Sequence, residues 1–381
     1  MEVFVLVALT NDANLFVLTA DQCPQELKKL RETTSFYCPQ CKSKLQLKVG
    51  QVKIPHFAHK HSSLCETAFS EGESTAHLLG KQQLYSFFLN QANAVQLESY
   101  IAQLKQRPDL LVTHCNKQYA VEFQCTSIPT TQILERTKGY IHYQIHPLWL
   151  AKTPQHLQKQ GIIKISLSEF YQQFISKYKN DKYLLTYDPQ NKVFTYFGNL
   201  HFVHGNMWIG KVQSLPIERQ QFPFFVPKRL TKKEYRLLWI TYQMHRQSFI
   251  KSRLLLSRNG VNDIYLRSIY ELRLISNVLP NFIGVPILGC EAIPLFSVEW
   301  QLNLFYFLHV TNLKLAQLND QSIHAFLRWS KLPETTKAHL TISRYIAFLR
   351  KIGVHYIHTE IENEAIFTNL YDEYIAFLQE N

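Results

Sequence analysis

Residues 107–126 read RPDLLVTHCNKQYAVEFQCT. Two runs rich in apolar and β-branched residues, 109–115 and 119–126, flank Cys115-Asn116-Lys117-Gln118. Asn tolerates the positive φ of a tight turn, so the segment predicts two strands joined by a short connection. Alternation with period two puts Glu122 and Gln124 on one face of the second strand and Val121, Phe123 and Cys125 on the other. If the strands form a hairpin, Asp109 lies near Glu122 at the sheet end. Upstream, residues 73–90 have helical spacing, with Leu78, Leu79, Tyr85, Phe88 and Leu89 on one broad face, and a strand is expected over 95–101. Downstream, a helix follows Pro129 and a strand over 147–151 closes the unit. Helix, three strands, helix, strand is a compact α/β unit of about eighty residues.

Outward from this core, residues 1–20 hold two apolar runs around Thr10-Asn11-Asp12-Ala13-Asn14, a hairpin signal. Residues 1–70 are therefore expected to form a β-hairpin followed by a Cys/His unit, and 71–155 the α/β core. Residues 156–227 are expected to be a connecting, aromatic-rich region, with a strand and helix over 162–178 and a linker marked by Pro216, Pro223 and Pro227. Residues 228–381 predict a mainly helical domain, opened by Thr231 and Glu234 at capping-box spacing, with the first helix ending near Gly260.

The chain has 381 residues, 46% hydrophobic, and 12 Gly with 15 Pro, which excludes collagen-like and low-complexity classes. The net charge of +12 is uneven: residues 211–258 hold eleven Lys or Arg against two acids, Glu218 and Glu234. A solvated helix face would mix signs for pairing along the helix. This stretch barely does, which points to a phosphate-binding surface, with Lys228, Arg229, Lys232, Lys233 and Arg236 as DNA contacts. The longest apolar run near the start, residues 3–9, is far short of the ~20 residues a spanning helix needs, and no basic residue precedes Lys28. The expectation is a cytoplasmic protein without membrane insertion.

Cys38-Pro-Gln-Cys41 is followed by His56, His59, His61 and Cys65. Two thiolates two residues apart can reach one tetrahedral ion, which suggests structural Zn2+. The other two ligands come from His56, His59, His61 or Cys65. The preferred set is Cys38, Cys41, His59 and Cys65, with His56 as the alternative. The plainer reading is a reduced Cys pair in a small β unit. Asp109 and Glu122 form an oxygen-rich pair suited to Mg2+ or Mn2+. Glu73, His77 and Lys81 share one helical stripe beside them. The plainer reading here makes Glu122 and Gln124 the solvent face of a half-buried hairpin.

The order helix-Glu, Pro-Asp, Glu-x-polar resembles the PD-(D/E)xK nuclease superfamily. The words CPQCKSKLQLKVGQVKIPHFAHK, ESTAHLLGKQQLY, QRPDLLV, YAVEFQCTSIP and ERTKGY, in this order, resemble the CoiA competence protein family over roughly residues 1–152. That resemblance implies a nuclease-like domain, a bacterial cytosolic setting and a role in processing or recombining incoming DNA. It implies Asp109 and Glu122 as metal ligands and Glu73 as the helix carboxylate near the metal. Gln124 stands where the superfamily carries lysine, and a neutral amide orients but cannot supply charge. Lys81, Arg136 or Lys138 are candidates for the missing charge, and Arg107, Arg136 and Lys138 are candidate DNA contacts. The expected fold is a PD-(D/E)xK-like core with an N-terminal zinc unit and a basic helical C-terminal domain. The expected activity is a metal-dependent nuclease on single-stranded or branched DNA. The alternatives are a non-cleaving DNA-binding accessory and a scaffold for a recombinase or another competence protein.

Overall fold

The structure, a computed structural model, describes residues 4–19, 21–50, 53–59, 74–154, 159–179, 181–256, 262–275 and 278–377. At the N-terminus lie β1 (Phe4–Val5), β2 (Val7–Leu9), β3 (Leu15–Val17), α1 (Pro24–Thr33), β4 (Phe36–Tyr37), β5 (Lys44–Lys48) and β6 (His56–His59). The expected hairpin is β2–β3, which sits at one edge of a six-stranded sheet ordered β1-β6-β5-β4-β2-β3. Its interior is aromatic, with the Phe36 and Phe57 rings 4.8 Å apart and Phe16 beside both.

The α/β core begins at α2 (Thr75–Leu89), where the Ser74 hydroxyl caps the first turn by accepting from the His77 amide. Next come β7 (Ala94–Leu97), β8 (Leu110–His114), β9 (Lys117–Gln124), α3 (Thr130–His142) and β10 (Ile145–Lys152). The connection between β8 and β9 is the two-residue turn Cys115-Asn116, both residues having positive φ, as a turn matching the twist of a hairpin requires. Strand β9 also pairs in parallel with β10, and α3 is the crossover between them. The alternation sorts the faces as expected. Leu110, Val112, Val121 and Phe123 join the core that includes α2. Ala120 and the partly buried Leu111 pack with Tyr140 of α3.

The stretch expected to be a connecting region is instead structural. Residues 156–227 supply β11 (Gly161–Ser166), the short α4 (Glu169–Gln172), β12 (Ser176–Tyr178), β13 (Asp181–Asp188), β14 (Val193–His204) and β15 (Met207–Pro216). Strand β10 pairs in parallel with β13, so the sheet runs on as β11-β15-β14-β13-β10-β9-β8-β7, with β12 on β13. The aromatic density has a physical reason: β14 is buried on both faces, with Phe194 and Tyr196 in one core and Phe197 in another. The α2-side core is continuous with that of the N-terminal sheet, so both units pack as one.

The remainder is helical, as the periodicity suggested: α5 (Lys232–Leu256), α6 (Ile264–Glu271), α7 (Ser297–Thr311), α8 (Asp320–Trp329), α9 (Thr336–Lys351) and α10 (Asn363–Phe377). The Thr231–Glu234 capping box is formed, each side chain accepting from the other's amide, at 2.9 and 3.3 Å. Residues 257–260, where the helix was expected to stop, lie outside the described residues. Helix α7 is buried nearly all round and forms the centre of this bundle. No helix among the described residues is long and apolar enough to cross a membrane.

At Gly80 α2 lies close against the sheet, because a Cβ there would overlap the Phe123 ring. Gly80→Ala gains about 1 kcal/mol of helix propensity but overpacks a core contact at a cost of about 1–3 kcal/mol. The expected outcome in urea unfolding is net destabilisation. A stabilised variant would show that α2 does not pack this closely.

Candidate active site and candidate metal centre

Extending the β8–β9 register by one residue from Leu110–Val121 places Asp109 opposite Glu122 at the sheet end. Their carboxylates turn to different helices. Asp109 Oδ2 accepts from the Phe123 amide at 2.8 Å and from His77 Nε2 at 3.2 Å, and Lys81 Nζ stands 3.9 Å from its Oδ1. His77 and Lys81 therefore share the α2 stripe expected of them. Glu73, the third member of that stripe, lies outside the described residues. Glu122, 1% exposed, accepts through Oε1 from the Arg136 guanidinium and the Tyr140 hydroxyl, both on α3. Gln124 is also buried and on the Glu122 face, and its side chain has no hydrogen bond among the described residues.

The two carboxylates differ electrostatically. Burial would raise Asp109, but the charges of His77 and Lys81 and the Phe123 amide outweigh it and hold the group well below the usual carboxylate range. Burial raises Glu122, and the neighbouring Asp109 adds to this, against the opposing pull of Arg136 and Tyr140. Each acid keeps one oxygen outside these hydrogen bonds among the described residues, Oδ1 of Asp109 and Oε2 of Glu122. Hard oxygen donors of this kind suit Mg2+ or Mn2+. Among the described residues the pair does not gather a third Asp, Glu, His or Cys into a cluster.

A residue that sequence reasoning missed completes the arrangement. Glu98 follows β7 with φ +50° and carries a buried carboxylate. Its Oε1 accepts from Lys81 Nζ at 2.5 Å, its Oε2 accepts from the Leu6 amide at 2.9 Å, and its own amide donates to the Asp109 carbonyl at 2.9 Å. The only sequence signal was indirect: Lys81 follows Leu78-Leu79-Gly80 on the helix and needs a partner if buried.

The Cys/His cluster is assembled. Ligand atoms of Cys38, Cys41 and His59 lie within 4.8 Å of one another, and Cys41 Sγ is 3.6 Å from His59 Nε2. Zn–S of about 2.3 Å and Zn–N of about 2.0 Å at a tetrahedral angle put two donors roughly 3.5 Å apart, so the donor set and its spacing fit Zn2+. Burial raises the Cys38 thiol, which an ion would have to displace of its proton. His56, the alternative ligand, is directed elsewhere. It is three residues from His59 on one strand and so faces oppositely, bonding the Ile54 carbonyl at 2.8 Å and packing edge-on to Phe4. His61 and Cys65 lie outside the described residues.

The expected DNA contacts divide. Lys138, Lys228, Arg229, Lys232 and Lys233 are exposed, and Arg107 is half-buried, its carbonyl accepting from Arg136 at 3.1 Å. Arg136 is no surface contact: it is buried and ion-paired with Glu122. Arg236 makes a two-pronged pair with Glu364 at 2.9 and 2.5 Å. Elsewhere in the basic stretch, Lys211 pairs with Glu234, Arg253 with Asp263 and Glu299, and buried Arg246 binds the carbonyls of Leu279, Pro280 and Ile283. The surface available to phosphates is thus narrower than the charge count implied.

Two outcomes follow from this geometry. Lys81→Met leaves Glu98 buried without its cation and is expected to cost about 3–5 kcal/mol in chemical unfolding, whereas Lys81→Met with Glu98→Gln recovers most of that loss. Purified protein is expected to carry about one Zn2+ per chain, lost in Cys38→Ser, by elemental analysis. Absence of metal from freshly purified wild type would favour the reduced Cys pair.

Residues 73–230 match the family described as Competence protein CoiA, nuclease-like domain, and residues 20–68 match Competence protein CoiA, N-terminal domain. Competence protein CoiA of Bacillus subtilis (strain 168) is 35% identical over 207 residues, covering 54% of this chain and 53% of that protein. The chain therefore spans about half the length of the curated relative it matches. No solved structure matches. With the N-terminal and nuclease-like domains following each other in the same order as the Cys/His unit and the Asp109–Glu122 hairpin, the chain belongs over these residues to the CoiA competence protein family.

Proposed function

We propose that this protein is a metal-dependent deoxyribonuclease of the PD-(D/E)xK type that acts in the cytoplasm on incoming DNA during natural transformation and recombination. The observation that carries the reading is Asp109 standing opposite Glu122 at the sheet end, beside His77 and Lys81, within a domain that matches a nuclease-like family. Asp109 and Glu122 would hold Mg2+ or Mn2+ through Oδ1 and Oε2, the oxygens outside their hydrogen bonds, with Lys81 3.9 Å from Oδ1. A divalent cation there lowers the pKa of a bound water and offsets charge on the phosphodiester. The chain's own groups do the rest. Lys81 and His77 keep Asp109 ionised, Arg136 and Tyr140 fix the Glu122 rotamer, and Gln124 would orient a water through its amide. Glu73 would be the further carboxylate near the metal that the resemblance implies. The DNA, single-stranded or branched, would lie along Arg107 and Lys138 toward the exposed Lys228, Arg229, Lys232 and Lys233. A recombinase or another competence protein is the expected partner.

A second reading, a DNA-binding accessory that does not cleave, is favoured by one observation: each acid already has a basic side chain of the protein beside it, Lys81 at Asp109 and Arg136 at Glu122. Labelled single-stranded, double-stranded and branched DNA incubated with Mg2+, Mn2+ or EDTA separates the two. Metal-dependent cleavage that falls by about 100-fold or more in folded Asp109→Ala and Glu122→Ala is the expected result. Intact DNA under salt-sensitive binding by wild type would establish the accessory.

A further inference from the structure

We infer that Glu98 is a positioning residue that links the N-terminal Cys/His unit to the nuclease-like site. The inference rests on the proposed reading for its catalytic consequence, but the link itself is visible in the fold. Strand pairing in the N-terminal sheet is interrupted at Leu6, which lies between β1 and β2. The Leu6 carbonyl still accepts from Leu18 at 2.8 Å, but its amide leaves the ladder and donates to Glu98 Oε2 at 2.9 Å. The other oxygen of Glu98 holds Lys81 at 2.5 Å, and Lys81 faces Asp109 Oδ1 at 3.9 Å. The Glu98 amide also binds the Asp109 carbonyl, so one residue grips the prospective metal ligand by its main chain and, through Lys81, by its side chain.

The far end of this chain of contacts reaches the Cys/His cluster. Phe4 and Val5, just before Leu6, pair with Ala58 and Phe57 of β6, the strand that ends in His59. A second tie, from Gln82 Nε2 to the Leu18 carbonyl at 3.1 Å, fixes α2 to the same sheet one residue along from Lys81. Holding Glu98 at φ +50° opposes the ordinary preference of a non-glycine residue, and the surrounding bonds over-determine it. Little water reaches Lys81 or Glu98, so a shift of the Leu6 amide is not absorbed by solvent and passes to the ammonium beside Asp109. The ion at Cys38, Cys41 and His59 would then set the order of β6 and β1, and thereby the affinity of the nuclease-like site for its cation.

The test uses the full chain and two readouts that need no turnover. Hydrogen exchange followed by mass spectrometry reports the Leu6 amide. Electron paramagnetic resonance reports the binding of Mn2+ that is lost in Asp109→Ala. In wild type, stripping Zn2+ with a chelator is expected to speed Leu6 exchange and weaken Mn2+ binding by about tenfold each. Glu98→Gln is expected to weaken Mn2+ binding similarly. In case that variant fails to fold, Lys81→Met with Glu98→Gln removes both charges while keeping an acceptor for Leu6. In the double variant Zn2+ removal is expected to weaken Mn2+ binding several-fold less than in wild type, because the branch through Lys81 is cut while the main-chain branch remains. Equal tenfold effects in wild type and the double variant, or Leu6 exchange indifferent to Zn2+, would overturn the link. Wild type that binds no Asp109-dependent Mn2+ would instead count against the nuclease reading, and the exchange measurement would still decide the link.

Discussion

An ammonium group with almost no access to water constrains this fold more than any apolar contact. Lys81 is 1% exposed, and its charge is tolerable only because Glu98 meets it at short range. Taking two ions out of water costs several kcal/mol each, and the Coulomb energy repays that only in one geometry. The pair is therefore a weaker source of net stability than a packed apolar pair of the same volume. What it enforces is placement. Helix α2 must present Lys81 to the end of β7, and Glu98 must enter a left-handed conformation to meet it. The sheet below must then bring Asp109 within 3.9 Å of the same ammonium. Gly80 permits this approach by leaving room for the Phe123 ring directly beneath the helix.

The same hairpin carries a second buried pair on its other face, Glu122 with Arg136, held further by Tyr140. One antiparallel turn thus separates two charge clusters with opposite electrostatic outcomes. Asp109 is kept ionised by its surroundings, while Glu122 is pushed toward its neutral form by burial. Such divergence between neighbouring acids often accompanies a division of chemical labour, and it also arises in purely structural networks. The parallel joint between β10 and β13 makes the surrounding frame stiff, since the hairpin is an interior part of a long mixed sheet.

The elements legible in the sequence were those set by short-range rules. Cys115-Asn116 marked its own turn, the Thr231–Glu234 box marked a helix start, and alternation sorted Phe123 from Glu122. The Cys38, Cys41 and His59 grouping was legible because metal chemistry restricts spacing. Long-range compensation was not. Glu98 lies seventeen residues from Lys81, and nothing in Leu97-Glu98-Ser99 announces a buried acid. Arg136 reads as an exposed helical base until the sheet places Glu122 against it. The basic stretch read as unpaired because its acids, Asp263, Glu299 and Glu364, come from later in the chain. Strands β13 to β15 were hidden for a different reason. A strand buried on both faces loses the alternation that identifies strands, and its aromatic run then reads as irregular.

Gln124 takes on a different meaning once Arg136 is placed. Taken along the strand, the missing lysine is the feature that most weakens a nuclease reading, because a charge beside Glu122 is absent from β9. In space that charge is present, delivered from α3 by Arg136 to Glu122 Oε1. A lysine at position 124 would put a second cation on the same buried face, two residues from a carboxylate that already has its partner. With Gln124 only 7% exposed, the added ammonium would lose most of its hydration without gaining a free anion. A neutral amide at this buried position carries a smaller desolvation cost than an ammonium would. The departure from the PD-(D/E)xK pattern that the sequence resembles thus follows from where the positive charge enters the site.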